Sequence, residues 1–445
     1  MRVVCLLPDA APSSSSSSSP HTFCDPADVV LLRSQLLSWY DQEKRELPWR
    51  TLAGDTLDRS PCNLLVFFVV YFSVWVSEIM LQQTQVATVK DYYNRWMKKW
   101  PRVQDLAAAT LEEVNQMWAG LGYYSRGKRL HEGAQKVVTE LKGQMPQTAE
   151  ELLKQLPGVG RYTAAAVGSI ALGQVTGAVD GNVIRVLCRL RAIGADSTSP
   201  AVTEALWNLA NSLVDRERPG DFNQAMMELG ARVCTPKGSL CSQCPVQSHC
   251  RSYRKVGTSS EVDLNSGACS LCPSEPWDDE LGVQNFPRKP AKKAPRVERT
   301  LTCVVTRPGE EGDEEFLLTQ RPNKGLLAGL WEFPSLLLQE ESSEVKQKRA
   351  LCDEISSVRA DVDADATDRF QVVHIFSHIH QTYVVYGLRL TQSDTHTQTD
   401  RTQWLHRAAL QEAAVSTGLK KVGQTPGCCP GVPHLPGSNL VINTS

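Results

Sequence analysis

Leu156-Pro-Gly-Val-Gly160, running into Arg161-Tyr-Thr-Ala-Ala-Ala-Val167, is the stretch on which the fold reading depends. A helical pattern precedes it, and small apolar residues resume one after it. Two glycines permit a tight turn and the close approach of another backbone. The amides that open the second helix then point outward, ready for a phosphate. The pattern predicts a helix–hairpin–helix that grips nucleic-acid backbone without reading sequence. Taken alone, the glycine pair equally suits a plain connection between helices.

Working outward, Val179-Asp-Gly-Asn-Val183 lies some twenty residues downstream. Beyond it stand Cys234, Cys241, Cys244 and Cys250, spaced x6, x2 and x5. Four thiolates on short loops close round one metal centre, and both zinc and a [4Fe–4S] cluster accept four cysteines. Spacing alone leaves the two open. The chain has 14 cysteines, and two more form Cys269-Ser-Leu-Cys272. Clusters of this kind, behind an N-terminus that makes a poor secretory signal, read as metal ligands rather than disulfides.

The 445 residues are too many for one ordinary core and suit two or three domains. With 41% hydrophobic and 22% charged residues the composition is that of a globular protein. A net charge of −2 does not announce a nucleic-acid binder, so that evidence has to be local. The apolar run Leu64–Val76 is shorter than the ~20 residues that cross a bilayer, and no membrane partner is expected. Residues 1–27, with seven serines from Ser13, read as a flexible leader. Residues 28–250 read as helical, with Trp39, Leu111, Val114, Met117 and Trp118 on helix-like patterns. Residues 251–299 read as a linker carrying the basic stretch Arg288–Arg296. From 300 to 422, short β-branched runs such as Leu301–Thr306, Glu315–Gln320 and Gln381–Leu390 predict an α+β domain. Residues 423–445 read as an unstructured tail.

The hairpin, the following aspartate and the cysteine quartet, in this order, resemble the endonuclease III superfamily of base-excision glycosylases. Val76-Ser-Glu-Ile-Met-Leu-Gln-Gln-Thr-Gln-Val86, Gly120-Leu-Gly-Tyr-Tyr-Ser-Arg126 and Val179-Asp-Gly-Asn182 resemble the adenine DNA glycosylase, or MutY, family, in its vertebrate type. The resemblance covers roughly residues 29–250 and 300–422. It implies an all-α helix–hairpin–helix glycosylase domain with a [4Fe–4S] loop, then an α+β Nudix-like domain. It implies that Cys234, Cys241, Cys244 and Cys250 hold the cluster.

Releasing adenine from deoxyribose needs a better leaving group and a stabilised cation. The resemblance assigns the acid to Glu78, which later activates water, and the cation-facing carboxylate to Asp180. It places Asn182 beside Asp180. Without it, Glu78 reads as a solvated glutamate at a helix start and Asp180 as an N-cap. Bifunctional relatives carry a lysine where this chain has Tyr162. A phenol forms no Schiff base, so a monofunctional glycosylase is expected, with the hydroxyl helping to position the transition state. The adenine must leave the duplex to be reached. The resemblance gives Gln83 and Tyr123 as wedges at the lesion, Leu121 and Thr84 as lining, and Pro157, Gly158 and Gly160 as backbone contacts.

Lys324–Pro334 resembles the MutT/Nudix fold, but the following Ser335-Leu-Leu-Leu-Gln-Glu-Glu-Ser-Ser343 brings no acidic Mg²⁺ helix. No pyrophosphohydrolase activity is expected. The domain resembles the family's 8-oxoguanine reader, with Phe376, Ser377 and His378 as the reader loop. Cys269 and Cys272 offer two ligands for zinc. Val262 stands where vertebrate members have another cysteine, His21 matches a family histidine, and Cys24 is a candidate replacement ligand. The family docks the checkpoint clamp on this linker. The tail carries no Gln-hydrophobe-Phe-Phe box for the sliding clamp, so that route is not expected. A monomer in the nucleus, and in mitochondria, is expected on duplex DNA with adenine opposite 8-oxoguanine or guanine.

One departure stands out. Pro61–Phe72 is apolar where family members have a short polar segment, and it reads as a translated intron end beside Glu78 that exposes apolar surface. Two other functions follow from these features. One is an endonuclease III-type glycosylase/lyase, opposed by Tyr162 and the Nudix-like domain. The other is a lesion-binding variant with catalysis impaired by the insertion.

Overall fold

The computed structural model describes residues 21–54, 64–256, 269–273, 275–288, 294–309, 313–322, 327–338, 343–358, 368–375, 379–390 and 401–424. Thirteen helices come first: α1 Pro26–Glu43, α2 Pro48–Gly54, α3 Leu64–Leu81, α4 Val86–Lys99, α5 Val103–Ala107, α6 Leu111–Trp118, α7 Ser125–Thr139, α8 Ala149–Gln155, α9 Arg161–Leu172, α10 Gly181–Arg191, α11 Pro200–Leu213, α12 Pro219–Arg232 and α13 Arg251–Val256. Strands β1 Arg296–Pro308, β2 Glu314–Gln320, β3 Trp331–Glu332, β4 Ser335–Leu338, β5 Asp368–Ile375, β6 Ile379–Arg389 and β7 Thr402–His406 follow, with helices α14 Glu344–Val358, α15 Arg407–Glu412 and α16 Thr417–Gln424. No described helix is long and apolar enough to cross a membrane.

The chain divides into two compact units. One joins residues 1–46 to 161–290 and the other joins 47–160 to 291–445. In the first, Leu36, Tyr40, Leu187, Leu206 and Phe222 form a buried core. Caps set its helix starts. Ser199 accepts from Val202 N–H ahead of Pro200, and Asp180 accepts from Val183 N–H at the start of α10. The linker region is more structured than its composition suggests. Residues 251–256 continue as α13, Phe286 is buried, and the amides of Gly194 and Ala195 donate to the Leu271 carbonyl. Short-range polarity hid these contacts, since their partners lie far off in sequence.

In the second unit the helical part packs on three buried tryptophans, Trp75, Trp96 and Trp118, the last two edge-to-face at 5.5 Å. The strands form one mixed sheet in the order β3-β2-β1-β6-β5, with β1 and β6 parallel and Leu301 opposite Val384. Leu351 and Ile355 of α14 pack with Leu301, Val305 and Val384 of the sheet.

The apolar departure is where the structure corrects the sequence. The expectation that Pro61–Phe72 exposes apolar surface fails from Val70 onward. Val70, Tyr71 and Phe72 are buried on α3, the helix that carries Glu78. Tyr71 donates to the Pro146 carbonyl, and Phe72 meets Trp75 edge-to-face at 6.3 Å. Val70, Tyr71 and Phe72 are part of the helix's core face. Phe72→Ala is therefore expected to cost about 3–5 kcal/mol in urea unfolding. An unchanged midpoint would put the segment outside the core.

Candidate active site and cysteine centres

Asp180 caps α10, and the cap geometry is also the site geometry. Its Oδ1 accepts from Val183 N–H at 2.7 Å and its Oδ2 from the Asn182 side-chain amide at 2.9 Å. Burial raises its carboxyl above the usual aspartate range, against the pull of these hydrogen bonds. The Asn182 oxygen in turn accepts from Arg185 Nη2 at 2.8 Å. Arg185 also donates to the carbonyls of Cys234 and Gly230, both at 2.7 Å. A chain of hydrogen bonds thus joins Asp180 to the loop that begins the cysteine quartet. Sequence reading missed Arg185, although its place one turn beyond Asn182 on the capped helix was a usable signal. Lysine lacks the planar fork these three acceptors need. Arg185→Lys is expected to slow excision by about 10- to 100-fold while duplex binding persists. Single-turnover rates at saturating enzyme measure this.

Glu78 sits inside α3, with 5% of its surface exposed. It is neither solvated nor at a helix start, as its type alone suggests. The apolar residues around it, Trp75 and Ile79 among them, are buried too.

The turn between α8 and α9 is built as the glycines predict. Gly158 has φ +78°, and a Cβ there would meet Arg129 Cβ at 2.9 Å. A Cβ at Gly160 would meet nothing within 4 Å, so its backbone stands open to approach. Pro157 lies between the Leu156 helix cap and Gly158. Tyr162, in the first turn of α9, is partly buried, and its hydroxyl donates to Met227 Sδ at 3.5 Å.

Gln83 and Thr84 lie in the turn after α3, and Leu121 and Tyr123 in the loop before α7. Gln83 is exposed and Tyr123 is 44% exposed. Leu121 is buried, so its side chain supports the loop from beneath rather than lining a surface. Phe376, Ser377 and His378 lie outside the described residues.

Cys234, Cys241, Cys244 and Cys250 line one small apolar cavity with Val186, Leu190, Leu229, Val233 and Val246. Burial pushes the Cys244 thiol up to about 12 and Cys250 to about 11. Arg189 donates to Cys234 Sγ at 3.4 Å, to the Thr235 carbonyl at 2.8 Å and to the Phe286 carbonyl at 3.1 Å.

A second centre gathers His21, Cys269 and Cys272, whose ligand atoms all lie within 4.8 Å of one another. His21 Nδ1 is 2.9 Å from the Arg191 carbonyl, which leaves Nε2 beside Cys272 Sγ at 3.3 Å. Burial and the nearby cations lower the His21 pKa, favouring the neutral imidazole that metals require. Cys24 does not belong to this group. It is exposed, and its sulfur is 3.4 Å from the Thr22 hydroxyl.

A helical chain with a glycine hairpin, a half-buried aspartate at a helix N-terminus and a cysteine-lined cavity fits the base-excision glycosylase class. A family model for HhH-GPD superfamily base excision DNA repair proteins matches residues 76–212, and a NUDIX domain model matches 309–425. Adenine DNA glycosylase of Mus musculus is 56% identical over 416 residues, covering 90% of this chain and 79% of the mouse protein. The Homo sapiens enzyme is 55% identical over 447 residues, covering 95% and 80%. A solved thermostable thymine-DNA glycosylase is 28% identical, with a TM-score of 0.44, covering 52% of this chain and 98% of that one. The C-terminal domain of mouse MUTYH, solved in complex with human PCNA, is 43% identical, with a TM-score of 0.25, covering 28% and 83%. The chain belongs to the adenine DNA glycosylase family. It is a base-excision repair glycosylase for adenine mispairs, a hydrolase of N-glycosyl bonds with a Nudix-like second domain.

Proposed function

We propose that this glycosylase is monofunctional and removes adenine opposite 8-oxoguanine or guanine, with Glu78 and Asp180 dividing the chemistry. The observation that carries this reading is the half-buried Asp180 carboxylate, held at both oxygens by Val183 and Asn182. Glu78 donates a proton to an adenine ring nitrogen. The bond from that base to C1′ breaks, and its electron pair leaves with adenine. The Asp180 carboxylate stabilises the oxocarbenium ion, and Glu78, now ionised, takes a proton from the water that adds to C1′. Tyr162 supplies a hydroxyl and no amine, so no Schiff base forms and no strand is cut.

Gln83, Thr84, Leu121 and Tyr123 form the lesion loops, and Pro157, Gly158 and Gly160 meet the phosphate backbone. Phe376, Ser377 and His378 read the oxidised guanine. Cys234, Cys241, Cys244 and Cys250 hold a [4Fe–4S] cluster. The shared cavity that all four cysteines line supports one metal centre at the quartet. These cysteines would hold the cluster within the 234–250 loop, in the cavity that Val186 and Leu190 of α10 also line. His21, Cys269 and Cys272 would hold zinc. The linker is the docking region for the checkpoint clamp, and action is nuclear and mitochondrial. A sliding clamp is a partner if the C-terminal domain binds as in the mouse complex.

Single-turnover assays on duplex with adenine opposite 8-oxoguanine, split with and without alkali, test this reading. Breaks that require alkali support it. Breaks without alkali favour a lyase. Tight binding without excision favours the impaired variant.

A further inference from the structure

We propose that Arg126 is a positioning residue for excision: one buried guanidinium holds the loops carrying Gln83 and Tyr123 in their lesion-meeting geometry. The inference rests on the reading of those two residues as wedges.

Arg126, in the first turn of α7, is 7% exposed. Its Nη1 donates to the carbonyls of Ile79 at 3.2 Å, Met80 at 2.9 Å and Gln82. Its Nη2 donates to Thr84 Oγ1 and the Gly122 carbonyl, both at 3.0 Å, and to the Leu121 carbonyl at 3.4 Å. Nε donates to the Tyr123 carbonyl at 3.4 Å. These acceptors are neutral oxygens on two separate segments, the end of α3 with its following turn and the Gly120–Tyr124 loop. The Ile79 and Met80 carbonyls lie in the last turn of α3, where helical partners run out and the dipole favours a cation.

Both wedge residues are strained. Gln83 has φ +55° and Tyr123 φ +47°, in the left-handed region that side chains avoid. Such conformations persist only where the surroundings over-determine them. Arg126 does this at both sites with one rigid group, and the guanidinium also lies 5.4 Å from the Trp118 and Tyr123 ring centres. A lysine keeps the charge but, as a point donor on a flexible stem, cannot bridge both segments in this way.

The test uses the full chain and a lesion duplex with a non-cleavable adenine analogue, beside an undamaged duplex. Dissociation constants are corrected for the active fraction. Arg126→Lys is expected to weaken lesion binding about tenfold or more and to lower the lesion-to-undamaged ratio, which simple instability leaves unchanged. Arg126→Lys with Tyr123→Ala should bind no worse than the weaker single variant, since coupled residues are not additive. Native-like binding by Arg126→Lys, or losses that multiply in the double variant, would overturn the proposal. If Gln83→Ala and Tyr123→Ala bind normally, the wedge reading itself fails and this one with it. Should Arg126→Lys not fold, Thr84 decides. Thr84→Val removes the acceptor and is expected to weaken lesion binding, whereas Thr84→Ser keeps it and is expected to bind more tightly than Thr84→Val. The reverse order makes Thr84 a contact through its methyl group and overturns the anchor.

Discussion

Asp180→Asn is expected to lower single-turnover excision by at least about 10²-fold while the protein stays folded. Asparagine caps a helix as well as aspartate does, so Val183 N–H keeps its acceptor. What disappears is the charge, together with the acceptor that Oδ2 offers the Asn182 amide. A loss of activity without a loss of structure therefore assigns the role to the carboxylate and not to the cap. The stability effect has a defined sign. The folded Asp180 pKa is raised by burial, so the fold favours the protonated acid. That contribution is full below the unfolded value of about 4 and is lost as pH rises through the folded value. Thermal melts of the native chain should thus fall relative to Asp180→Asn as pH rises through this window. A native chain whose melting temperature instead rises relative to the variant across the window would mean that the charge stabilises the fold. Because the proposed chemistry needs the ion, the acid limb of the excision profile should also lie above the usual aspartate range. Glu78→Gln is the companion test. Losing a positioned acid should slow excision by about 10²–10⁴-fold.

Replacing a quartet cysteine should have the second largest effect. Cys244→Ser is expected to reduce bound iron from about four atoms per chain to near zero, with sulfide lost in parallel. The consequence reaches Asp180, because Arg185 and Arg189 anchor α10 on the Cys234–Thr235 backbone. A lower melting temperature and the loss of excision should therefore accompany the loss of iron, as binding energy at such sites is folding energy. Cys272→Ser separates the two centres. It should leave iron unchanged and remove zinc. A Cys244→Ser protein that retains iron, or a Cys272→Ser protein that loses it, would reverse the assignment of the two centres.

Much of this protein is written locally in its chain. The glycine turn at 156–160, the Asp180 cap and the quartet spacing each depend on residues within a few positions, and each conformation follows from side-chain type at that place. The β-branched runs after Leu301 likewise predicted strands that form. Local pattern also carried the family resemblance. Three features were decided only in three dimensions. The apolar stretch Val70–Phe72 looked exposed because nothing near it in sequence covers it, yet helix α3 turns it into the core against Trp75 and Pro146. His21 meets Cys272 from 251 positions away, and Cys24 is left out, because chain distance says nothing about which ligands converge. In the sequence Arg126 is only the last residue of the Gly120–Arg126 motif. Its role comes from backbone carbonyls of two segments, which carry no side-chain signature, and which become a site only when packing removes water and brings them to one guanidinium.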